Sequence, residues 1–320
     1  MLRCMKTNSY SVLELCEIFS TKQPAMSHHL KVLQQAGLIT SRREGTAIYY
    51  RRASGLPQGG APLAAVEQLV PALLASIDLL PLSEELQERL DAIRQHRSRV
   101  AREFFNRRSA EFTDDQDCIA LPSQYLGIVE ELLPKQSPVA ATAVDLGVGT
   151  GEILPVLSAA FDTVYGIDIA EAMIETSRAL IATEGLSNVH LATSDISSLS
   201  EGLLPTGIPP VTHIICNMVL HHVSSPSDVF IQCARFLRAR GIGKGFLIVS
   251  ELCRHTQSWV LEKCGDLWMG FEPEELLQCA THAGFRGGES HYIGLRNGFQ
   301  VQVHRFDITT DSHALRGLAQ

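Results

Sequence analysis

Hydrophobic positions in the first forty residues recur at helical spacing, between short polar stops. Ser11-Val-Leu-Glu14 has the form of a capping box, a side-chain oxygen followed three residues later by Glu. Leu13, Leu15, Ile18 and Phe19 then supply the apolar positions of a short helix ending near Ser20. After the turn Thr21-Lys22-Gln23, Pro24 falls in the first turn of a second helix, where a missing N–H is harmless. Met26, Leu30 and Leu33 share its inner face and Gly37 stops it. Leu38–Thr40 with Arg42-Arg43, and Ala47–Arg51, predict two strands around a Glu44-Gly45 turn, forming a wing with basic tips. Ser54–Pro62 is a Gly/Pro-rich linker. Helical periodicity resumes over Val66–Ile77, and a charged helix follows over about Glu84–Glu111, with Leu86, Leu90, Ile93 and Val100 as one apolar stripe.

From Val139 the pattern changes to short apolar runs separated by helical stretches. Ala143–Leu146, Thr163–Asp168, Val189–Ala192, His213–Asn217 and Phe246–Ser250 are the strand candidates, which predicts a parallel sheet of βαβ units. His291–Gly294 and Gln300–Phe306 flank Leu295-Arg-Asn-Gly298 and form a closing antiparallel hairpin. The expected organisation is a winged helix-turn-helix over residues 1–53, a linker and helical bridge over 54–112, and an α/β domain over 113–320.

Charge sharpens this division. Residues 1–60 hold eight Lys or Arg against three acids, a balance of +5, which leaves −13 for the remainder of a chain of net charge −8. A basic head on an acidic body fits contact with nucleic acid through the head alone. The N-terminus lacks a signal-peptide core and no stretch approaches the ~20 apolar residues of a membrane span, so a cytoplasmic protein is expected. The eight cysteines are scattered without a C-x-x-C pair, the pattern of reduced, packed thiols.

On the second helix the outward face offers Gln23, Ala25, Ser27, His28 and Lys31, donors, small residues and a cation suited to a groove floor and phosphates. Further along, Ala143-Val-Asp-Leu-Gly-Val-Gly-Thr-Gly151 ends a strand in an acid and places glycines at 147, 149 and 151. A dinucleotide fingerprint needs its third glycine at 152, where this chain has Glu. A pyrophosphate is repelled by Asp145 and Glu152, whereas the sulfonium and ammonium of S-adenosylmethionine are attracted. Asp168, closing the second strand, can accept from the ribose hydroxyls. Asp195 can accept from the adenine amino group, with Ile169 and Ile196 on either side of the ring. The fourth strand leads into Cys216-Asn-Met-Val-Leu-His-His222, facing the methyl group and its acceptor.

The segment QPAMSHHLKVLQQAGLITSRREGTAIYYRR resembles the ArsR/SmtB family of winged-helix repressors across roughly fifty residues. The resemblance implies a homodimer that reads palindromic operator DNA, with Gln23, Ala25, Ser27, His28 and His29 nearest the bases and Arg42 and Arg43 on phosphates. It also implies one or two helices ahead of Ser11, where this chain has ten residues. The ELCVCD-type cysteine pair of arsenic sensors is absent: the sequence reads Glu14-Leu-Cys16-Glu-Ile, so a metal-responsive repressor is disfavoured and no metal site is assigned. His28 and His29 point about 100° apart on a helix and do not make a zinc pair.

Residues from Asp145 to Ile308 resemble class I S-adenosylmethionine-dependent methyltransferases, a Rossmann-like fold with a mostly parallel sheet and an antiparallel final strand. The head, the bridge and Arg102-Glu-Phe-Phe-Asn-Arg-Arg together resemble an ArsR-type regulator fused to such a methyltransferase, as does Gly265-Asp-Leu-Trp-Met-Gly-Phe271. That resemblance assigns Asp145, Gly147, Gly149, Gly151 and Asn217 to the methionine end, Asp168 to ribose, and Asp195 and Ile196 to adenine. In-line methyl transfer relies on positioning and has no obligatory catalytic residue. His221 or His222 could take a proton from the acceptor, or simply order the loop beneath the cofactor. Two readings follow: an enzyme with a DNA-binding head and an unidentified methyl acceptor, or a repressor that senses S-adenosylmethionine or S-adenosylhomocysteine without turnover.

Overall fold

Ser11 starts the first helix as its capping box requires. Its hydroxyl accepts from the Glu14 amide at 3.3 Å, and the Glu14 carboxylate accepts from the Ser11 amide at 2.7 Å. The computed structural model describes residues 1–53, 64–133, 141–196, 199, 204–240 and 245–308, with backbone only for 64–68 and 109–117. The Gly/Pro-rich run 54–62 lies outside the described residues. Two compact units, Met1–Arg97 and the chain from Ser98 onward, divide within one long helix.

The first unit contains β1 (Tyr10–Ser11), α1 (Val12–Ile18), α2 (Gln23–Gln35), β2 (Ile39–Glu44), β3 (Ala47–Arg52), α3 (Ala64–Leu79) and the first half of α4 (Glu84–Asp117). Its sheet runs β1-β3-β2, with β2 and β3 joined through a turn in which Gly45 takes φ +57°. Pro24 lies in the first turn of α2, and Gly37 takes φ +69° just past its end. Leu15, Ile18, Met26 and Leu30 are each at most 1% exposed, and such burial contributes about 1.5–3 kcal/mol per side chain. Leu90 and Ile93 of α4 join this core and Leu86 packs beside it, whereas Val100, three residues past the end of the unit, is half-exposed and outside the stripe.

Arg97 closes the unit. Its guanidinium donates to both Glu14 carboxylate oxygens at 2.7 Å and to the Ser9 carbonyl at 3.0 Å, lying over the Tyr10 and Tyr49 rings. Asp78 of α3 similarly receives Arg52 at 2.7 Å and Lys6 at 3.0 Å.

The second unit adds α5 (Leu126–Leu132), β4 (Thr142–Leu146), α6 (Leu154–Ala160), β5 (Thr163–Asp168), α7 (Glu171–Glu184), β6 (Val189–Thr193), β7 (Val211–Asn217), α8 (Pro226–Arg240), β8 (Phe246–Leu252), α9 (Trp259–Lys263), α10 (Pro273–Ala283), β9 (Phe285–Gly294) and β10 (Gln300–Ile308). Its seven-stranded sheet has the order β6-β5-β4-β7-β8-β10-β9, parallel except for β10, which is antiparallel to both β8 and β9. Strand order reverses between β4 and β7, which opens a crevice at their carboxyl ends where ligands bind in such sheets. β4 is buried along its whole length, as expected of a central parallel strand.

Burial alone would raise the Glu14 carboxyl, but hydrogen bonds and charge from Arg97 outweigh it and hold it below its ordinary value of 4.5. A depressed carboxyl stabilises the fold above the unfolded value, and the contribution disappears as pH falls through the folded one. Glu14→Gln should therefore destabilise the head by ~2 kcal/mol at neutral pH, the scale of a charged hydrogen bond, and the deficit should vanish as pH falls through the lowered Glu14 value. Circular dichroism during urea unfolding measures this, with fluorescence of Trp259 and Trp268 reporting the second unit separately. A deficit that does not change with pH would exclude the ion pair as its source.

Candidate functional site

Four strand ends build the site. β4 ends at Asp145-Leu146, and the chain then turns through Gly147, Gly149 and Gly151, at φ +73°, +55° and +88°. A Cβ on Gly147 would lie 2.5 Å from a Val219 methyl, and one on Gly151 would lie 2.9 Å from the Ser177 hydroxyl. At Gly149 the nearest atom would be 4.0 Å away, so this glycine answers a backbone requirement and faces open space. The Gly149 amide donates to one Asp168 oxygen at 3.0 Å and the Ala170 amide donates to the other at 2.9 Å. These two bonds leave part of the acceptor capacity of the carboxylate unused.

Asp145 is 1% exposed, and neither carboxylate oxygen has a hydrogen-bond partner among the described residues. Burial, and then the charge of Asp168, push its pKa up to about 8. Burial also raises Asp168, against the pull of the amides of Ala170, Gly149 and Ile169. Beyond β6, Asp195 accepts from the Ser98 hydroxyl at 3.0 Å. Ile169 packs against the cluster of Phe105, Ala170 and Met173, as do Ala101 and Phe104, so residues 98–108, part of the helical bridge in the sequence pattern, lie beside Asp195 and Ile169. Ile196 is half-buried one residue past Asp195.

At the end of β7, Asn217 accepts a hydrogen bond from the Ser250 hydroxyl and donates to the Tyr125 hydroxyl at 3.4 Å. Met218 follows at φ +55°, a strained conformation for a long side chain that costs about 1–3 kcal/mol and is commonest at functional sites. His221 is wholly buried and its Nδ1 lies 2.6 Å from Glu251, whose second oxygen accepts the His221 amide at 3.1 Å. Burial would lower the His221 pKa, but the carboxylates of Glu251 and Asp266 outweigh it and lift it to about 9. His222 is pushed far down by burial and by its charged neighbour. Its ring stands edge-on to Phe105 at 4.9 Å, and its Nδ1 is 3.6 Å from Asp266.

The structure thus gathers Asp145, the three glycines, Asp168, Ile169, Asp195, Ile196, Asn217 and the histidine pair along the carboxyl edge of one sheet. Tyr125, Ser98, Glu251 and Asp266 were not legible as site residues. The acid in the apolar run Phe246-Leu-Ile-Val-Ser-Glu-Leu252 is the signal that could have found Glu251.

On the head, Gln23, Ala25, Ser27, His28, His29 and Lys31 are all exposed on α2, while Met26 and Leu30 between them are buried. Arg43 is exposed on the wing, whereas Arg42 is half-buried against the Glu44 carboxylate. Cys16 is half-buried beside the head core and forms no disulfide among the described residues.

Residues 1–41 match the family model described as bacterial regulatory protein, arsR family, and residues 144–243 match a methyltransferase domain. The chain joins an ArsR-family head to a methyltransferase domain. The transcriptional repressor SdpR of Bacillus subtilis is 36% identical over 50 residues, which is 16% of this chain and 56% of SdpR, so little more than half of that relative is spanned. The ubiquinone biosynthesis O-methyltransferase of Thiobacillus denitrificans is 24% identical over 196 residues, 56% of this chain and 79% of that protein. Magnesium protoporphyrin IX methyltransferase of Synechocystis, solved with S-adenosylhomocysteine, has the same fold at TM-score 0.50 and 20% identity, covering 67% of this chain and all of that one. A phosphoethanolamine N-methyltransferase of Haemonchus contortus matches at TM-score 0.52 and 12% identity, over 65% of this chain and 60% of its own. Among the described residues no helix is long and apolar enough to cross a membrane.

Within the methyltransferase domain, Trp268, Met269 and Phe271 are buried next to the histidine pair. The Trp268 indole donates to the Val223 carbonyl at 2.8 Å, and the Leu267 amide donates to the His221 carbonyl at 2.8 Å. Gln302 of β10 donates to the carbonyls of Phe271 at 2.7 Å and Leu252 at 3.2 Å, binding this segment to the antiparallel hairpin. Gln302 in turn meets His304 at 2.8 Å, whose pKa burial lowers to about 4.

The two loop glycines should respond unequally to substitution. Gly147→Ala and Gly149→Ala both carry the left-handed backbone penalty of about 1–2 kcal/mol. Only Gly147→Ala adds a collision with Val219, typically ~1–3 kcal/mol of overpacking. Thermal melts should therefore rank Gly147→Ala well below Gly149→Ala; equal melting temperatures would contradict the packing described for Val219.

Proposed function

We propose that the protein is an ArsR-type transcriptional regulator whose second domain binds S-adenosylmethionine and transfers its methyl group to an acceptor. The observation that carries this reading is the Asp145 carboxyl, buried and unpartnered beside an open glycine turn. An uncompensated buried carboxyl favours a ligand bearing positive charge over a phosphorylated one. S-Adenosylmethionine supplies an ammonium and a sulfonium, and Asp168 and Asp195 lie in order for its ribose and adenine. Gly147, Gly149, Gly151 and Asn217 would line the methionine end, with Ile169 and Ile196 against the adenine ring. The strained turn at Met218 leads to His221 and His222, the candidates for acting on the acceptor.

On the head, α2 would enter the major groove of operator DNA, with Gln23, Ala25, Ser27, His28 and His29 toward base edges and Lys31 and Arg43 toward phosphates. Pairing with Glu44 draws Arg42 away from such a role. A homodimer fits this use, because Leu69 and Leu73 of α3 are 67% and 56% exposed, an apolar row on which a second copy could close.

Two measurements test the reading. In the free protein Asp145 is largely protonated at about pH 7, so a bound cation should ionise it and expel its proton. Calorimetric titration with S-adenosylmethionine in buffers of different ionisation enthalpy should show release of up to about one proton per nucleotide. Asp145→Asn should abolish that release and weaken binding; unchanged binding and proton release would remove Asp145 from the site.

For the head, operator binding followed across a salt series should lose affinity and about one unit of salt slope in Arg43→Ala. Arg42→Ala should change the slope less. The opposite ranking would place Arg42, not Arg43, on the phosphates.

A further inference from the structure

His221, His222 and Asp266 bring their ligand-capable atoms within 4.8 Å of one another, at the strand end where an acceptor would sit. We propose that these three side chains bind a divalent transition-metal ion, which the sequence pattern did not suggest.

The first argument is the outer support of the His221 imidazole. Metal-ligating histidines almost always give their other ring nitrogen to a carboxylate, a backbone carbonyl or water, which fixes the ring and its tautomer. His221 does this with Glu251, through Nδ1 at 2.6 Å, and the Glu251 carboxylate is itself held by the amides of His221 and Leu252 at 3.1 and 2.6 Å. The remaining His221 nitrogen, Nε2, is fully buried and has no hydrogen-bond partner among the described residues, an expensive arrangement unless something occupies it.

Donor chemistry is the second argument. Glu251 and Asp266 are 0% and 4% exposed, so two carboxylates are buried together with the imidazole pair. The donor set of two imidazoles and one carboxylate suits a borderline ion such as zinc or iron(II), and poorly suits calcium or magnesium. Three protein ligands leave a coordination position open for water or for an acceptor oxygen or sulfur. The main chain is arranged to keep the set together, since the amides of Leu267 and Trp268, next to Asp266, both donate to the His221 carbonyl at 2.8 and 3.2 Å.

The proposal is tested on the full chain by stripping it with a chelator and titrating cobalt(II), then zinc in competition with a metallochromic dye. The expected result is about one saturable ion per chain, with visible d–d bands and no thiolate charge-transfer band. Asp266→Asn and His222→Ala should each remove the saturable site. Glu251→Gln, which leaves all three ligands, should weaken it roughly 10–100-fold, the usual effect of losing outer-shell support. Circular dichroism of the same variants identifies any that have lost the fold, and Glu251→Gln, which conserves volume, keeps the test decisive in that event. No saturable ion, a thiolate spectrum, or binding unaltered in folded variants would overturn the proposal and leave a proton on His221 as the neutralising charge. Because the readout is the metal itself, its failure is separable from failure of nucleotide binding.

Discussion

The hydrogen bond from the Gly149 amide to the Asp168 carboxylate ties the end of β4 to the end of β5, and the ligand edge of the sheet is arranged around it. It holds the glycine turn close to an acid that is already desolvated. Ser177 secures the far side of the same turn through the Gly149 carbonyl at 2.8 Å. Asp145 then lies beneath a loop that cannot move to relieve it, and its unsatisfied carboxyl becomes the strongest local preference for a cation. Were Asp168 apolar, the loop would lose its anchor and the adjoining Asp145 carboxyl its neighbour, so binding and architecture are inseparable at this corner.

A comparable economy operates in the head. Glu14 caps α1 and at the same time receives Arg97 from α4, so one carboxylate serves helix initiation and the packing of a helix more than eighty residues away. The outward face of α2 is left free of such duties. Its residues make no contribution to the core, while Met26 and Leu30 keep the helix in place.

The elements easiest to read from sequence were those whose own burial dictates their composition. β4, β5 and β7 lie inside the sheet with both faces covered, so they appear as short continuous apolar runs ending at acids or Asn. β9 was read only from His291, yet it begins at Phe285, because Arg286-Gly-Gly-Glu-Ser290 lies on an exposed edge strand with no alternation to reveal it. The two-residue β1 is too short for any period. Asp145 and Asp168 were legible because each closes a strand beside a glycine or a helix start. Tyr125, Glu251 and Asp266 come from distant parts of the chain and meet only through the tertiary fold. Val100 has the spacing of a core residue and the exposure of a surface one, since periodicity records which face a side chain shares and not whether anything lies opposite.

Gln302 gives the antiparallel hairpin a consequence beyond closing the sheet. By donating to the carbonyls of both Phe271 and Leu252, it pins the Phe271 end of the Trp268–Phe271 segment to β8. Sequence drift within that segment can then change the side chains packed beside the histidine pair while the scaffold stays intact. In a lineage descended from this chain, new chemical preferences would be expected to accumulate around Trp268 and Met269, with Gln302 as the residue that makes such divergence survivable.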